Sequence, residues 1–251
     1  GSYNDVRMGA EISSYLKGYN DPRIASYFVK AKNNGIEGYY AVRTNIPTTD
    51  DYLDKAKSSS LNVQDGTPIY IMKASEVYFL RAEGALRGWN MGGGTAQSYY
   101  EKGIATSFEE NDLSASQAAA YAANSTATPA NFVDALHSEY DTPATSTITI
   151  KWESGATNFE RNLERIITQK YLAIYPDGQE AWSEYRRTGY PRIFPAVLTA
   201  TDCDVDGNLR PTRIPYSNDE YIKNLTNVKK AVQLLHGADN GATRLWWDKK
   251  V

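Results

Sequence analysis

Within one stretch of twelve residues, Asn34, Tyr39, Tyr40, Arg43 and Asn45 combine aromatic faces with planar polar groups. An aromatic ring can stack on the apolar face of a sugar while amides and a guanidinium reach several hydroxyls at once, so these five are the candidate ligand-binding set. Packing of the same tyrosines onto neighbouring helices is the competing use. A second pattern, Asp202-x-Asp204-x-Asp206-Gly207, matches the first half of a calcium loop, where alternate carboxylates converge and glycine makes the turn. The second half departs from it: Arg210 stands ninth, and Arg213 stands twelfth, where a bidentate glutamate belongs. Calcium held weakly by Asp202, Asp204 and Asp206 is the one cofactor this leaves open, against a plain acidic surface turn.

Catalytic chemistry finds little support. His137 and His236 are the only histidines, and neither sits in a nucleophile-elbow or HExxH context. Glu180 and Glu184, one helical turn apart, could be offered as a glycosidase pair, yet Glu180 already has a use at a helix start. Gly92-Gly93-Gly94-Thr95 lacks the lysine of a phosphate cradle and follows a helix instead of a strand, so it reads as a hairpin turn. Arg186-Arg187 near a helix end suits the last carbonyls and the dipole.

The elements that would carry these residues are mostly helical. Ile71, Ala74, Tyr78, Ala82 and Ala85 recur at steps of three and four, which predicts a helix over Met72 to Arg87. Ala96, Tyr100, Gly103 and Ser107, with Ile104 and Phe108 beside them, form a facing small-residue stripe. Glycines between Gly88 and Gly94 let the chain reverse, giving a close helical hairpin. Thr157-x-x-Glu160 and Pro176 bracket a helix over Asn158 to Tyr175, and Asp177-x-x-Glu180 opens a return helix to Arg187. Further helices are expected from Val6 to Lys17, after the Ser114-x-x-Gln117 capping box, from Thr128-Pro129, and from Ser217 toward His236-Gly237. Ala31 to Leu61 reads as loop with short strands, Thr142 to Trp152 as an extended connection, and Tyr190 to Tyr216 as a wrapping loop.

Composition bounds the partners. The chain has 251 residues, 41% hydrophobic and 23% charged, with net charge -3. That is an ordinary folded composition with no basic field for phosphate backbones, so nucleic acid is excluded as a partner. No apolar run reaches the length of a membrane span. The lone cysteine, Cys203, rules out an internal disulfide. Nineteen tyrosines and five tryptophans are the one excess, suited to sugar stacking and to helix cores alike.

The order of these elements is similar to that of a tetratricopeptide unit. The wording is narrower. EVYFLRAEGALRGW, TAQSYYEKGIATSF, QKYLAIYPDGQEAWSEYRRTGYP, RIPYSNDEY and RLWWD resemble, in this order, the C-terminal half of SusD/RagB-like outer-membrane lipoproteins of Bacteroidetes, over about Ile12 to Asp248. The resemblance implies a mainly α fold of tetratricopeptide-like hairpins with long irregular loops, spanning residues 1–251 as one helical domain of a longer protein. It implies a non-catalytic, cell-surface subunit that binds an oligosaccharide or similar nutrient and hands it to a SusC-like TonB-dependent transporter. Gly1-Ser2 has the look of a cloning remnant, and the lipid anchor and N-terminal half of full-length relatives are not among these residues. No ligand contact carries over by motif. A helical-repeat adaptor for peptides and a carbohydrate-active enzyme are the alternatives.

Overall fold

A computed structural model of the protein describes residues 6–47, 52, 54, 56–197 and 210–248. Its most extensive helix pairing is the expected hairpin, α3 (Ala74–Leu86) against α4 (Ala96–Glu109). Gly88 takes φ 78° and lets the Trp89 N–H donate back to the Gly84 carbonyl at 2.8 Å, which closes α3 with a left-handed cap. Thr95 then accepts from the Ser98 N–H and opens α4. The two helices touch because the contact is built from small residues: a Cβ added at Gly103 would stand 2.8 Å from the Phe79 ring.

The buried face of α3 differs from the expected stripe. It comprises Ser75, Phe79, Ala82, Glu83 and Gly84, with Tyr78 and Ala85 only partly covered. The helix also starts two residues later than expected, leaving Met72 and Ile71 outside it. Glu110, just beyond α4, sets this rotation by accepting from the Ser75 N–H at 2.9 Å and its hydroxyl at 2.7 Å.

Upstream, α1 (Ala10–Gly18) and α2 (Ile24–Tyr27) flank the first turn, followed by a two-stranded hairpin of β1 (Ala31–Asn33) and β2 (Ile36–Gly38). The expected start of α1 at Val6 is not realised, because Met8 and Gly9 run extended against Val42. Downstream lie α5 (Ala115–Ala122), α6 (Phe159–Ala173), α7 (Gly178–Thr188), α8 (Asn218–Lys223) and α9 (Leu225–Gln233). The Ser114–Gln117 capping box forms in full, and Asp177 accepts from the Glu180 N–H. Thr157 does not cap α6: a 3-10 turn, Ala156–Asn158, leads into it, and Glu160 instead accepts from the Tyr190 hydroxyl at 3.1 Å. No helix starts at Thr128-Pro129, since the Ala130 N–H is drawn to the Ser14 carbonyl and Phe132 pairs with Thr142.

Helix α6 packs on α3 and α4 and is buried on almost every side, including Arg165, Gln169 and Lys170. Such groups need partners, because desolvating an unpaired charge is costly. Lys170 Nζ lies 2.6 Å from Glu180, 3.1 Å from Glu184 and 3.3 Å from Glu76, so α6 and α7 are joined through charges. Arg187 adds a link from α7 to Glu83 on α3 at 2.6 Å. Between α1 and α2, the fully buried Arg23 pairs with Asp21 at 2.6 Å and reaches Ser107 on α4 and Gln169 on α6.

The tyrosine excess has a structural use. The stretch Thr142 to Trp152 lies on the core with alternate residues buried and no ladder of its own, so its inward carbonyls need donors. The Tyr19 hydroxyl donates to the Ile148 carbonyl at 2.9 Å, that of Tyr100 to Ile150 at 2.6 Å, and Arg165 Nε to Thr149 at 3.0 Å. Tyr15 serves Arg192 and Tyr27 serves Leu172 in the same way.

Candidate functional site

The candidate loop leaves α2 and returns as a β-hairpin because Asn34-Gly35 supplies the turn. Asn34 has φ 48° and Gly35 φ 81°, and the pairing Asn33↔Ile36 leaves these two as the loop, the arrangement that matches strand twist. Asn34 therefore stands exposed at a tip. Asn33 is buried beside it, and its Nδ2 donates to the Ala135 carbonyl at 3.1 Å, fixing the hairpin against the 131–142 segment.

The other four candidates separate by environment. Tyr39 is half-buried, packs on the core and lies under the Lys30 ammonium at 6.0 Å. Tyr40, also half-buried, folds over Gly38 and donates its hydroxyl to the Ile36 carbonyl at 3.2 Å. Asn45 is exposed in a left-handed turn at φ 59°. Arg43 departs from the expectation: it is 5% exposed, donates to the Thr142 hydroxyl and the Pro195 carbonyl, and lies 5.0 Å from the Phe194 ring. Its guanidinium is committed to holding distant segments together, so it positions the loop instead of facing solvent. The backbone around it is held too, with Val42 bonded to Met8 and Ala10, and Ser59 bonded to Tyr40.

Beside the hairpin the fold assembles a group that the sequence did not disclose. The rings of Tyr52, His137 and Tyr140 lie 5.2, 6.4 and 6.2 Å from one another. Tyr52 donates its hydroxyl to Asp134 at 2.9 Å, and burial, then that carboxylate, pushes its pKa well up. Asp134 also accepts from the Leu136 and His137 N–H groups, so one side chain sets both the turn and the ring. The separation of Tyr52 from His137 along the chain left no local pattern to find.

The catalytic alternatives lose their residues to structure. Glu180 and Glu184 are both spent on Lys170. His236 closes the end of the last helical region with φ 55°. Arg186 lies flat on Trp182 at 3.9 Å, and Trp182 donates to the Pro211 carbonyl. Asp202, Asp204 and Asp206 lie outside the described residues. The two arginines of that calcium-loop frame are engaged elsewhere, Arg210 with Glu11 at 2.7 Å and Arg213 with Asp239 at 2.6 Å. Among the described residues no cluster of three or more His, Cys, Asp or Glu could hold a metal ion. Among the described residues, too, no helix is long and apolar enough to cross a membrane.

Two clefts open elsewhere on the surface. One, of about 490 Å³, lies between residues 61–73 and the α6–α7 junction at Ile174, Tyr175 and Pro176. The other, of about 350 Å³, is lined by Arg186, Arg192, Arg210 and Arg244, with Asp248 beside them.

A family profile described as "SusD-like: Susd and RagB outer membrane lipoprotein" matches residues 1–248. Among solved structures, a SusD homologue from Bacteroides thetaiotaomicron is 44% identical, covering 98% of this chain and 52% of its own at a TM-score of 0.90. A chitin-binding SusD homologue from Flavobacterium johnsoniae is 43% identical over 100% of this chain and 51% of its own, with a TM-score of 0.88. A SusD homologue from Bacteroides ovatus is 38% identical, with 99% and 53% coverage and a TM-score of 0.90. No curated protein sequence matches. The chain spans about half the length of these solved relatives. With nearly every residue inside the profile and the whole fold superposing, the chain belongs to the SusD-like family of SusD and RagB outer membrane lipoproteins.

Proposed function

We propose that the protein is the nutrient-binding part of a surface uptake system, taking an oligosaccharide at its loop surface and passing it uncleaved to a SusC-like TonB-dependent transporter. The observation that carries this is family membership together with a chitin-binding relative at 43% identity over the full chain. The loop adds chemical support: Asn34 and Asn45 are exposed amides, and Tyr39 and Tyr40, between them in sequence, are half-buried. Arg43 supports this surface from beneath. Glu180 and Glu184, the carboxylate pair that hydrolysis could have used, are both engaged by Lys170, which favours binding without turnover.

The test is calorimetry with chitin oligosaccharides, preceded by a glycan array, on protein of the relatives' full length. Asn34→Ala, Tyr39→Ala and Tyr40→Ala made together are expected to weaken binding about tenfold or more, as loss of central aromatic contacts does. Unchanged affinity would remove these residues from the site, and release of shorter sugars by the purified protein would overturn a binding role. Co-purification with a TonB-dependent transporter tests delivery.

A further inference from the structure

In a chain of net charge -3, the cleft of about 350 Å³ at the end of α7 collects four arginines, Arg186, Arg192, Arg210 and Arg244. Tyr185 stands among them. Burial raises its pKa against the opposing charges of Arg210 and Arg244, so both guanidinium groups act on one hydroxyl. A small cleft lined by cations concentrates their field, because the walls exclude the water that would otherwise screen it.

Carboxylates answer three of the four. Glu11 lies 2.7 Å from Arg210, Asp248 lies 3.3 Å from Arg244, and Glu164 lies 3.5 Å from Arg192, whose side chain is 53% exposed. Arg186 has no carboxylate partner among the described residues. Its guanidinium is laid against Trp182 at 3.9 Å, with Trp247 at 5.4 Å, and its one side-chain bond is a long contact of 3.4 Å to the Ser183 hydroxyl. The indoles thus fix the plane of a cation whose donors are almost all unused. Arg210 is underused too, since Nη2 alone serves Glu11 and the Phe194 carbonyl. The Nε–H groups of Arg186 and Arg210 are both buried without an acceptor. Such donors favour whatever brings acceptor oxygens and negative charge together.

We propose that this cleft binds an oxyanion, a carboxylate or a sulfate, as the free ion or carried on a sugar. The volume suits a small molecule, and the walls at Tyr185 and Tyr190 suit a ring beside the anion. Arg186 and Arg210 would supply the fork that matches paired oxygens, and Arg192 the exposed charge at entry. None of Asn34, Tyr39, Tyr40 and Asn45 lines this cleft, so it is separate from the loop surface and independent of nutrient binding there.

The experiment is calorimetry on this chain in low-salt chloride buffer with N-acetylglucosamine 6-sulfate, glucuronate, inorganic sulfate and neutral N-acetylglucosamine. At least one of the three anions is expected to bind about tenfold or more tighter than the neutral sugar, and added chloride should weaken it. Arg186→Gln and, separately, Arg192→Gln should each lower that affinity about tenfold, the loss of one charge-assisted hydrogen bond. Arg192 is exposed enough that its variant should melt like the parent, which keeps the test open if Arg186→Gln is unstable. Arg186→Lys, with the charge but not the fork, should retain only part of the affinity. A sulfated sugar that outbinds inorganic sulfate identifies the ligand as ring-borne, and equal binding identifies the free ion; both uphold the site. Failure of all three anions to bind overturns the proposal, as does equal binding of the neutral sugar or unchanged affinity in both glutamine variants. Binding seen only when Asp202, Asp204 and Asp206 are replaced together by Asn would assign the arginines to the chain's own carboxylates and overturn it equally.

Discussion

The α3–α4 hairpin and the loop from Ala31 to Leu61 are held in opposite ways. The helices close by absence of bulk, with Ala82 fully buried and Gly103 against the Phe79 ring, so the backbones approach while each helix keeps its own ladder of backbone hydrogen bonds. The loop has a three-residue strand pair and few local bonds. It is held by side chains that travel far along the chain: Arg43 to Thr142 and Pro195, Asn33 to Ala135, Tyr52 to Asp134. Where bonds are local, sequence pattern specifies structure; where they are distant, single polar side chains do, and those leave free faces for a ligand.

The strongest test of this contrast is Ala82→Trp. No space exists for an indole between α3 and its neighbours, and overpacking of this kind costs about 3 kcal/mol or more. Thermal melting should show a large loss of stability or no folded protein, and a variant that melts like the parent would show that the hairpin is not closed at Ala82.

Next in size is Arg43→Ala. Removing a buried guanidinium that serves two remote segments should cost about 1–3 kcal/mol through the acceptors left unpaired, with a lower melting temperature. Tyr39→Ala and Tyr40→Ala, being half-exposed, should lower it less. If the order is reversed, Arg43 is not the anchor of the loop, and its place in the ligand-binding set is reopened.

The smallest effect concerns acid. Glu153 accepts from Arg161 and Arg165 where the extended connection meets α6. The Arg161 hydrogen bond, then that of Arg165 against some burial, lowers its pKa to about 2 from the usual 4.5. A carboxyl depressed on folding adds stability that is present above pH 4.5 and lost as pH falls toward about 2. Glu153→Gln should therefore flatten the decline of melting temperature across that window and leave the slope near neutrality unchanged. Because Glu153 is partly exposed, the change should be modest. An unaltered acid slope would mean that this clamp is not formed in solution.

Helix identity and the family were open to reading from the chain alone, since alanine and glycine spacing, the Ser114–Gln117 box, Asp177 and Gly189 act within a few residues of one another. The rotation of α3 was not, because it depends on Glu110 reaching back to Ser75 across the hairpin. Pro129 failed as a helix start because the remote Ser14 carbonyl outweighed its local signal, and Glu160, which was to complete the box with Thr157, is bonded by the remote Tyr190 hydroxyl.

For the candidate site the division is sharper. Residue type alone placed aromatic and amide groups in one loop, and Asn34-Gly35 carried its turn in its own conformational preference. Exposure was decided by the fold. Arg43 turned inward because Thr142, Pro195 and Phe194 surround it, and Tyr52, His137 and Tyr140 became neighbours only when segments about 80 residues apart met at Asp134. The tyrosine count was visible from the outset, but whether a ring faces a sugar or staples a buried carbonyl depends on which acceptors the tertiary structure leaves without a partner, and periodicity along a chain holds no record of that.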